Sequence, residues 1–184
     1  MIRAAVLAIA TLLTLASGAS AQSITTGDGR RLQVPVSPAG CTVTGLEPGQ
    51  VLTTLKFTCQ VPDIGGGAAR VQAMAEMWIV DVSLLTAETS AMLTPQGLVR
   101  EFLTSTGRGD QVGNPNFDAV RQVRTANGAV AMRCASYDHI EDLDGHAVCL
   151  VDSSPTALVL YVDSTMAYTA MRGVEVVMAD ARFQ

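Results

Sequence analysis

The residues best suited to chemistry lie in one acidic stretch, residues 138–146. This stretch holds both histidines of the chain, His139 and His146, together with Asp142 and Asp144. Imidazole nitrogens and carboxylate oxygens are ligands that divalent cations such as zinc accept. The spacing therefore makes His139, Asp142, Asp144 and His146 candidate ligands of a divalent metal.

The same acidic stretch is also typical of a solvated hairpin tip. Apolar, β-like runs flank it on both sides, and charged side chains at such a tip discourage pairing with other chains. A calcium loop of the EF-hand type does not fit, because Ile140 and Val151 would occupy its first and last ligand positions. We expect the solvated tip and no resident cofactor, with the divalent metal as the alternative.

The four cysteines, Cys41, Cys59, Cys134 and Cys149, form the second chemical feature. No Cys-x-x-Cys occurs, so the common redox and zinc-ribbon patterns are absent. An even set of cysteines in an exported chain usually forms disulfides, and four cysteines allow three connectivities. Their spacing about two turn-like stretches favours Cys41 with Cys59 and Cys134 with Cys149, because residues equidistant from a hairpin tip face each other.

Residues 1–21 match the pattern of a secretory signal peptide. Arg3 precedes an apolar run, and the stretch ends in small residues up to Ala21. We therefore expect export to a bacterial periplasm or out of the cell, with cleavage after Ala21. Residues 22–184 would then form a single domain with no membrane span, since no later apolar run approaches the required length.

Composition and motifs exclude several function classes. The chain has a formal net charge of −5 and no dense cluster of basic residues, which argues against nucleic acid as a partner. It contains neither a Gly-x-Ser-x-Gly elbow nor a phosphate-binding Gly-Lys-Ser/Thr ending. A Ser-His-Asp triad is not excluded by chain order, but both histidines lie in one acidic stretch, so we expect no catalysis.

The stretch Met74-Ala75-Glu76-Met77-Trp78 combines thioethers with an aromatic ring, which could suit Cu(I). On a strand, however, Met74 and Met77 point to opposite faces. We therefore interpret both methionines as core packing.

The elements that must position these residues follow from periodicity and turn signals. Residues 22–29 are polar and suggest a loose start. Strands are expected at 31–36, 51–61 and 70–86, and a helix between Thr94 and Gly107. Asn127-Gly128 predicts a hairpin, and strands 119–125, 129–136, 146–152 and 156–163 would form a meander before a helix that Ser164 caps. The expected fold is α+β, a single antiparallel sheet with helices packed on one face and two disulfides.

This order of elements resembles that of the PsbP-like small α+β proteins. The resemblance rests on the meander and on its ending, where the strand at 157–162 is followed by Asp163-Ser164, a helix and residues 176–183. It covers most of residues 22–184 in pattern and carries no signature motif. It implies an assembly or accessory binding role and transfers no functional residue.

Together these features lead to one functional expectation and two alternatives. We expect an exported, soluble, non-enzymatic accessory or binding protein, whose partner is a protein or small ligand of the cell envelope. One alternative is a divalent-metal-binding protein that uses residues 138–146. The other is an exported inhibitor or hydrolase.

Overall fold

The computed structural model describes residues 22–65, 67–106, 112–139, 144–151, 153 and 155–184. Ten strands and three α-helices lie within these ranges. In chain order they are β1 (Gln22–Thr25), β2 (Arg31–Val34), β3 (Cys41–Glu47), β4 (Leu52–Pro62), β5 (Arg70–Asp81), α1 (Ala87–Ala91), α2 (Pro95–Thr106), β6 (Val112–Thr125), β7 (Gly128–His139), β8 (Gly145–Val151), β9 (Thr156–Ser164), α3 (Ala167–Met178) and β10 (Arg182–Phe183). The signal peptide expected at residues 1–21 lies outside the described residues.

The strands form two sheets. Seven strands make one antiparallel sheet in the order β3-β4-β5-β9-β8-β7-β6, and β1, β2 and β10 make a second sheet with β2 in the middle. In the large sheet, β5 and β9 are neighbours that do not follow each other in the chain. The helices α1 and α2 and the meander β6–β8 are all inserted between these two strands.

The alternation of side chains along the central strands creates two cores. On one face of the large sheet, Leu158 and Leu160 of β9 pack with Val174 of α3 and with Leu32 and Val34 of β2. On the opposite face, Val159 of β9 packs with Val148 of β8 and Val99 of α2. The large sheet is therefore sandwiched between α3 with the small sheet on one side and α2 on the other.

The expected single sheet with helices on one face is wrong. The protein is mostly β, it has two sheets, and its helices lie on both faces of the larger one. The expectation failed first because residues 22–29 look polar, although Ile24 is buried and β1 pairs along its whole length with β2. It failed again because all of β8 is buried, and a strand that is apolar on both faces needs a cover on each side.

Both disulfides that the spacing favours are present, Cys41–Cys59 and Cys134–Cys149. Each joins residues directly opposite each other in neighbouring antiparallel strands. The first pair requires an adjustment, because the register between β3 and β4 shifts by one residue between Val43 and Gly45. A β-bulge thus lies between the disulfide and the β3–β4 turn.

α2 begins at the residue that capping predicts, whereas α3 begins two residues later than predicted. α2 begins as expected after Thr94, whose Oγ1 accepts a hydrogen bond from Gly97 N at 3.0 Å. α3 begins after Met166 rather than after Ser164. Its first free amide, Ala167 N, donates instead to Asp138 Oδ1 at 2.7 Å, a carboxylate at the end of β7. Within the described ranges, no helix is long and apolar enough to cross a membrane.

Candidate functional site

Of the four residues predicted to bind metal, the structure describes the side chains of two, Asp144 and His146. Asp142 lies outside the described residues, and of His139 only the backbone is described, which ends β7. Asp144 is partly buried just before β8, and His146 lies within β8 with 4% of its surface exposed. Across the described part of the chain, no group of three His, Cys, Asp or Glu side chains is placed to hold a metal ion. The four-ligand site therefore stays a prediction.

His146 is packed between two tyrosine rings. Its ring centroid is 4.8 Å from that of Tyr137 and 5.9 Å from that of Tyr161, with interplanar angles of 27° and 24°. The Tyr161 hydroxyl is 2.8 Å from His146 Nδ1, and Asp163 Oδ1 is 3.7 Å from the same nitrogen. The histidine is thus held on both faces and at Nδ1 by its own sheet.

Strand register accounts for this arrangement. Tyr137 of β7 is directly opposite His146 of β8, and His146 is directly opposite Asp163 of β9. These three residues form a row across neighbouring strands, where side chains on one face lie close enough to interact. Tyr161 lies two residues before Asp163 and therefore shares its face, which brings the hydroxyl diagonally to the imidazole.

The pKa of the Tyr161 hydroxyl is raised well above its ordinary value. Burial raises its pKa most, and the neighbouring Tyr137 and the carboxylates of Asp163, Glu76 and Asp144 raise it further. The phenol therefore keeps its proton and can donate it in a hydrogen bond to His146 Nδ1. A tyrosine that resists ionisation is suited to holding the imidazole in place rather than to nucleophilic attack.

The same face continues onto β5. Trp78 and Tyr161 stack with centroids 6.5 Å apart and an interplanar angle of 10°, and Trp78 Nε1 donates to Glu76 Oε2 at 3.0 Å. Met74 is on the same face and is 56% exposed, whereas Met77 points into the core. The core-packing interpretation thus holds for Met77 and fails for Met74. We call Met74, Glu76, Trp78, Tyr161 and Asp163 the aromatic patch.

The aromatic patch lies beside the part of this face that α2 mainly covers. α2 packs chiefly against β6, β7 and β8, whereas the patch residues belong to β5 and β9, and Trp78 and Tyr161 lie partly exposed at the edge of the core that contains Val99 of α2. Lys56 of β4 borders the patch, and its ammonium donates to Glu47 Oε1 at 2.7 Å. Glu47 and, more weakly, Glu76 raise the pKa of Lys56. The patch therefore combines partly exposed aromatic rings with carboxylates, and the lysine at its border is paired with a carboxylate outside it.

A separate cleft of about 350 Å³ lies between the β1–β2 turn and the β6–β7 hairpin. Arg30 lines it, but its guanidinium is bonded to Asp28 at 2.7 Å and stacks 3.8 Å over the Phe183 ring. These contacts tie the turn to β10. Arg30 is thus engaged in structural contacts, and this cleft is a weaker candidate site than the aromatic patch.

One contact around the patch follows from the sequence and the others do not. The hairpin symmetry that pairs Cys134 with Cys149 also puts Tyr137 opposite His146, where the structure has it. Trp78 was considered only beside Met74 and Met77, and Tyr161 and Asp163 were not considered as site residues, because their proximity to Trp78 depends on the pairing of β5 with β9. That pairing joins strands separated by two helices and three strands, and no local signal in the sequence indicates it.

Comparison of the chain with protein-family models, curated proteins and solved structures finds no match.

Proposed function

We propose that this chain is an exported, non-enzymatic binding protein that uses the aromatic patch as its binding surface. The observation that carries the proposal is the stacked pair Trp78–Tyr161 beside exposed Met74, on a sheet face that α2 covers only in part. Aromatic residues and methionine are enriched at the centres of protein interfaces. The accessory role implied by the resemblance to PsbP-like proteins is of the same kind.

The position of the patch on the sheet supports a binding role. β5 and β9 are interior strands of the large sheet, each paired on both sides. Side chains on such strands are held in place before a partner arrives, which reduces the entropy lost on binding. The hydrogen bonds Trp78–Glu76 and Tyr161–His146 restrict the two rings further.

The proposed compartment is the bacterial periplasm or the outside of the cell, after removal of residues 1–21. The two disulfides support this proposal, because such bonds form and persist in oxidising environments. The apolar run and the Ala-x-Ala ending of residues 1–21 support export by the secretory route.

A site-specific photo-crosslinking experiment tests the binding surface. A photoreactive phenylalanine analogue would replace Met74 in the protein produced in its native host, with the same analogue at Val120 as control. Val120 is 66% exposed and lies on β6, at the far edge of the same sheet. We expect a discrete crosslinked product of defined mass from position 74 and none from position 120.

The same experiment can contradict the proposal. Equal crosslinking at both positions, or none at position 74, would remove the aromatic patch as the binding surface.

A further inference from the structure

The charges around the aromatic patch define the chemistry of a partner. Glu76 lies within the patch and is bonded to the indole of Trp78, and Asp163 follows two residues after Tyr161 on the same strand face. Asp144 is near enough to contribute to the raised pKa of Tyr161, together with Asp163 and Glu76. The carboxylates of Glu76, Asp163 and Asp144 therefore all lie near the stacked rings of Trp78 and Tyr161.

The neighbouring cation offsets only part of this negative charge. Lys56 is directly opposite Glu76, but its ammonium donates at 2.7 Å to Glu47, a carboxylate outside the patch. The chain as a whole has 17 acidic and 12 basic residues, which leaves the long-range field negative as well. A partner approaching this face therefore meets aromatic rings in a negative potential.

Aromatic rings and carboxylates attract the same kind of group. The faces of Trp and Tyr rings attract ammonium and guanidinium groups, and carboxylates pair with them directly. Arginine fits best, because its planar guanidinium can stack on a ring while it donates to a carboxylate.

From this charge complementarity, and resting on the proposed function, we infer that the aromatic patch binds a protein partner through an exposed arginine-bearing segment. The single tryptophan of the chain, Trp78, lies in the patch, so its fluorescence reports on this surface without labelling.

The experiment is a fluorescence titration of the full exported protein with a synthetic peptide of alternating arginine and glycine. A peptide with glutamate in place of arginine is the charge control. We expect a saturable change in Trp78 emission with the arginine peptide only. Glu76→Gln and Asp163→Asn should each weaken binding about twofold to fivefold, the scale of one partly exposed charge pair.

The substitutions are chosen to keep the patch intact. A glutamine at position 76 still offers an oxygen to Trp78 Nε1, and an asparagine at position 163 keeps the shape of the aspartate. Glu175→Gln is the matched control, because Glu175 is an exposed carboxylate on α3, on the opposite face of the sheet. We expect this variant to bind like the unmodified protein.

Two outcomes would overturn the inference, and both are distinguishable from failure of the proposed function. The first is no saturable change with the arginine peptide, or an equal change with the glutamate peptide. The second is binding that Glu76→Gln and Asp163→Asn leave unaltered.

If the crosslink from position 74 forms and the arginine peptide does not compete with it, the patch binds a partner of other chemistry. If that crosslink is absent as well, the proposed function itself fails.

Discussion

At the scale of single residues, Tyr161 connects the buried histidine to the exposed patch. Its hydroxyl bonds to His146 and its ring stacks with Trp78. Burial and neighbouring carboxylates raise its pKa above the ordinary value of 10.0. The folded protein therefore holds this proton more tightly than the unfolded chain does, and this difference links stability to pH.

We predict that Tyr161 makes the fold sensitive to alkali. Below about pH 10 the phenol is protonated in both states and its contribution is constant. Above that pH the unfolded chain loses the proton first, so the free energy of unfolding falls by up to about 1.4 kcal/mol per pH unit. Urea unfolding between pH 8 and 11 should show this decrease in the unmodified protein and a flatter profile for Tyr161→Phe.

Tyr168→Phe is the control for that measurement, because Tyr168 is 55% exposed on α3. Its profile should follow that of the unmodified protein. Identical slopes for Tyr161→Phe and the unmodified protein would show that Tyr161 is not the responsible group.

Gly145 lies where a side chain would collide with the backbone. A Cβ there would lie 1.7 Å from Met166 C and 1.9 Å from Ala167 N, which are backbone atoms at the start of α3. We predict that Gly145→Ala displaces this end of the helix and lowers the free energy of unfolding by about 3 kcal/mol or more, at the upper end for overpacking. Denaturant unfolding followed by circular dichroism measures the loss.

Gly65→Ala provides the comparison, since a Cβ at Gly65 would meet nothing within 4 Å. It should change stability by less than about 0.5 kcal/mol, as surface substitutions usually do. A Gly145→Ala protein as stable as Gly65→Ala would mean that α3 does not approach β8 so closely.

At the scale of elements, the two disulfides close loops of similar length in different surroundings. The cysteines of each pair are separated by 18 and 15 residues, so chain entropy alone assigns about 3 kcal/mol to both. Cys134 and Cys149 are both buried, and Cys149 Sγ lies 3.9 Å from Met171 Sδ of α3. Cys41 is on the edge strand β3 and only partly buried.

We therefore predict unequal costs of removing the two bonds. The double variant Cys134→Ala/Cys149→Ala should lose at least about 1 kcal/mol more than Cys41→Ala/Cys59→Ala, because it removes two buried sulfur atoms under α3, whereas the other removes only one buried sulfur, that of Cys59. Urea midpoints and slopes of the two variants give the comparison. Equal losses would indicate that α3 closes over the missing sulfur atoms.

Close packing of α3 against the sheet explains why Gly173 lies within this helix, although glycine has a low helix propensity. A Cβ at Gly173 would lie 2.7 Å from Val162 Cγ1 and 3.4 Å from Ala73 Cβ. Glycine costs a helix about 1 kcal/mol relative to alanine. The low helix propensity is offset because α3 can lie directly against β9 and β5.

At the scale of the whole molecule, local signals predicted the hairpins but not their assembly. Asn127-Gly128 marks the β6–β7 hairpin, although the turn residues are Ala126 and Asn127 and Gly128 already pairs with Thr125. The Thr94 cap and the disulfide pairs are likewise local. The pairing of β5 with β9 and the addition of β10 to β2 join distant segments, and periodicity carries no information about such neighbours.

The same distinction separates what could be known of the candidate site. Hairpin symmetry pairs Tyr137 with His146, so that contact follows from the sequence. The patch requires β9 to lie between β5 and β8, and α2 to cover only the β6–β8 side of the face. The central strands are apolar on both faces, so the apolar stripe of α2 could have packed on either face of the sheet. The sequence therefore does not indicate which face α2 covers.

The small sheet has a consequence for the order in which the chain folds. In that sheet Gln33 pairs with Arg182 and Leu32 with Phe183, and Asn127 holds Phe183 through two further hydrogen bonds. Contacts between segments so distant in sequence form slowly, because a long loop must close first. The β7–β8 hairpin, by contrast, involves residues close together in the chain.

We therefore expect the small sheet to close last. In pulsed hydrogen exchange during refolding with both disulfides intact, amides of β7 and β8 should become protected before that of Gln184, which donates to Arg31 O beside the β2–β10 pairing. Simultaneous protection would contradict this order.

Because Leu32 and Val34 complete the core that contains Cys134 and Cys149, late closure would leave these sulfur atoms accessible to an oxidant while the new chain folds. The last step of folding would then seal the disulfide inside the protein after it has formed.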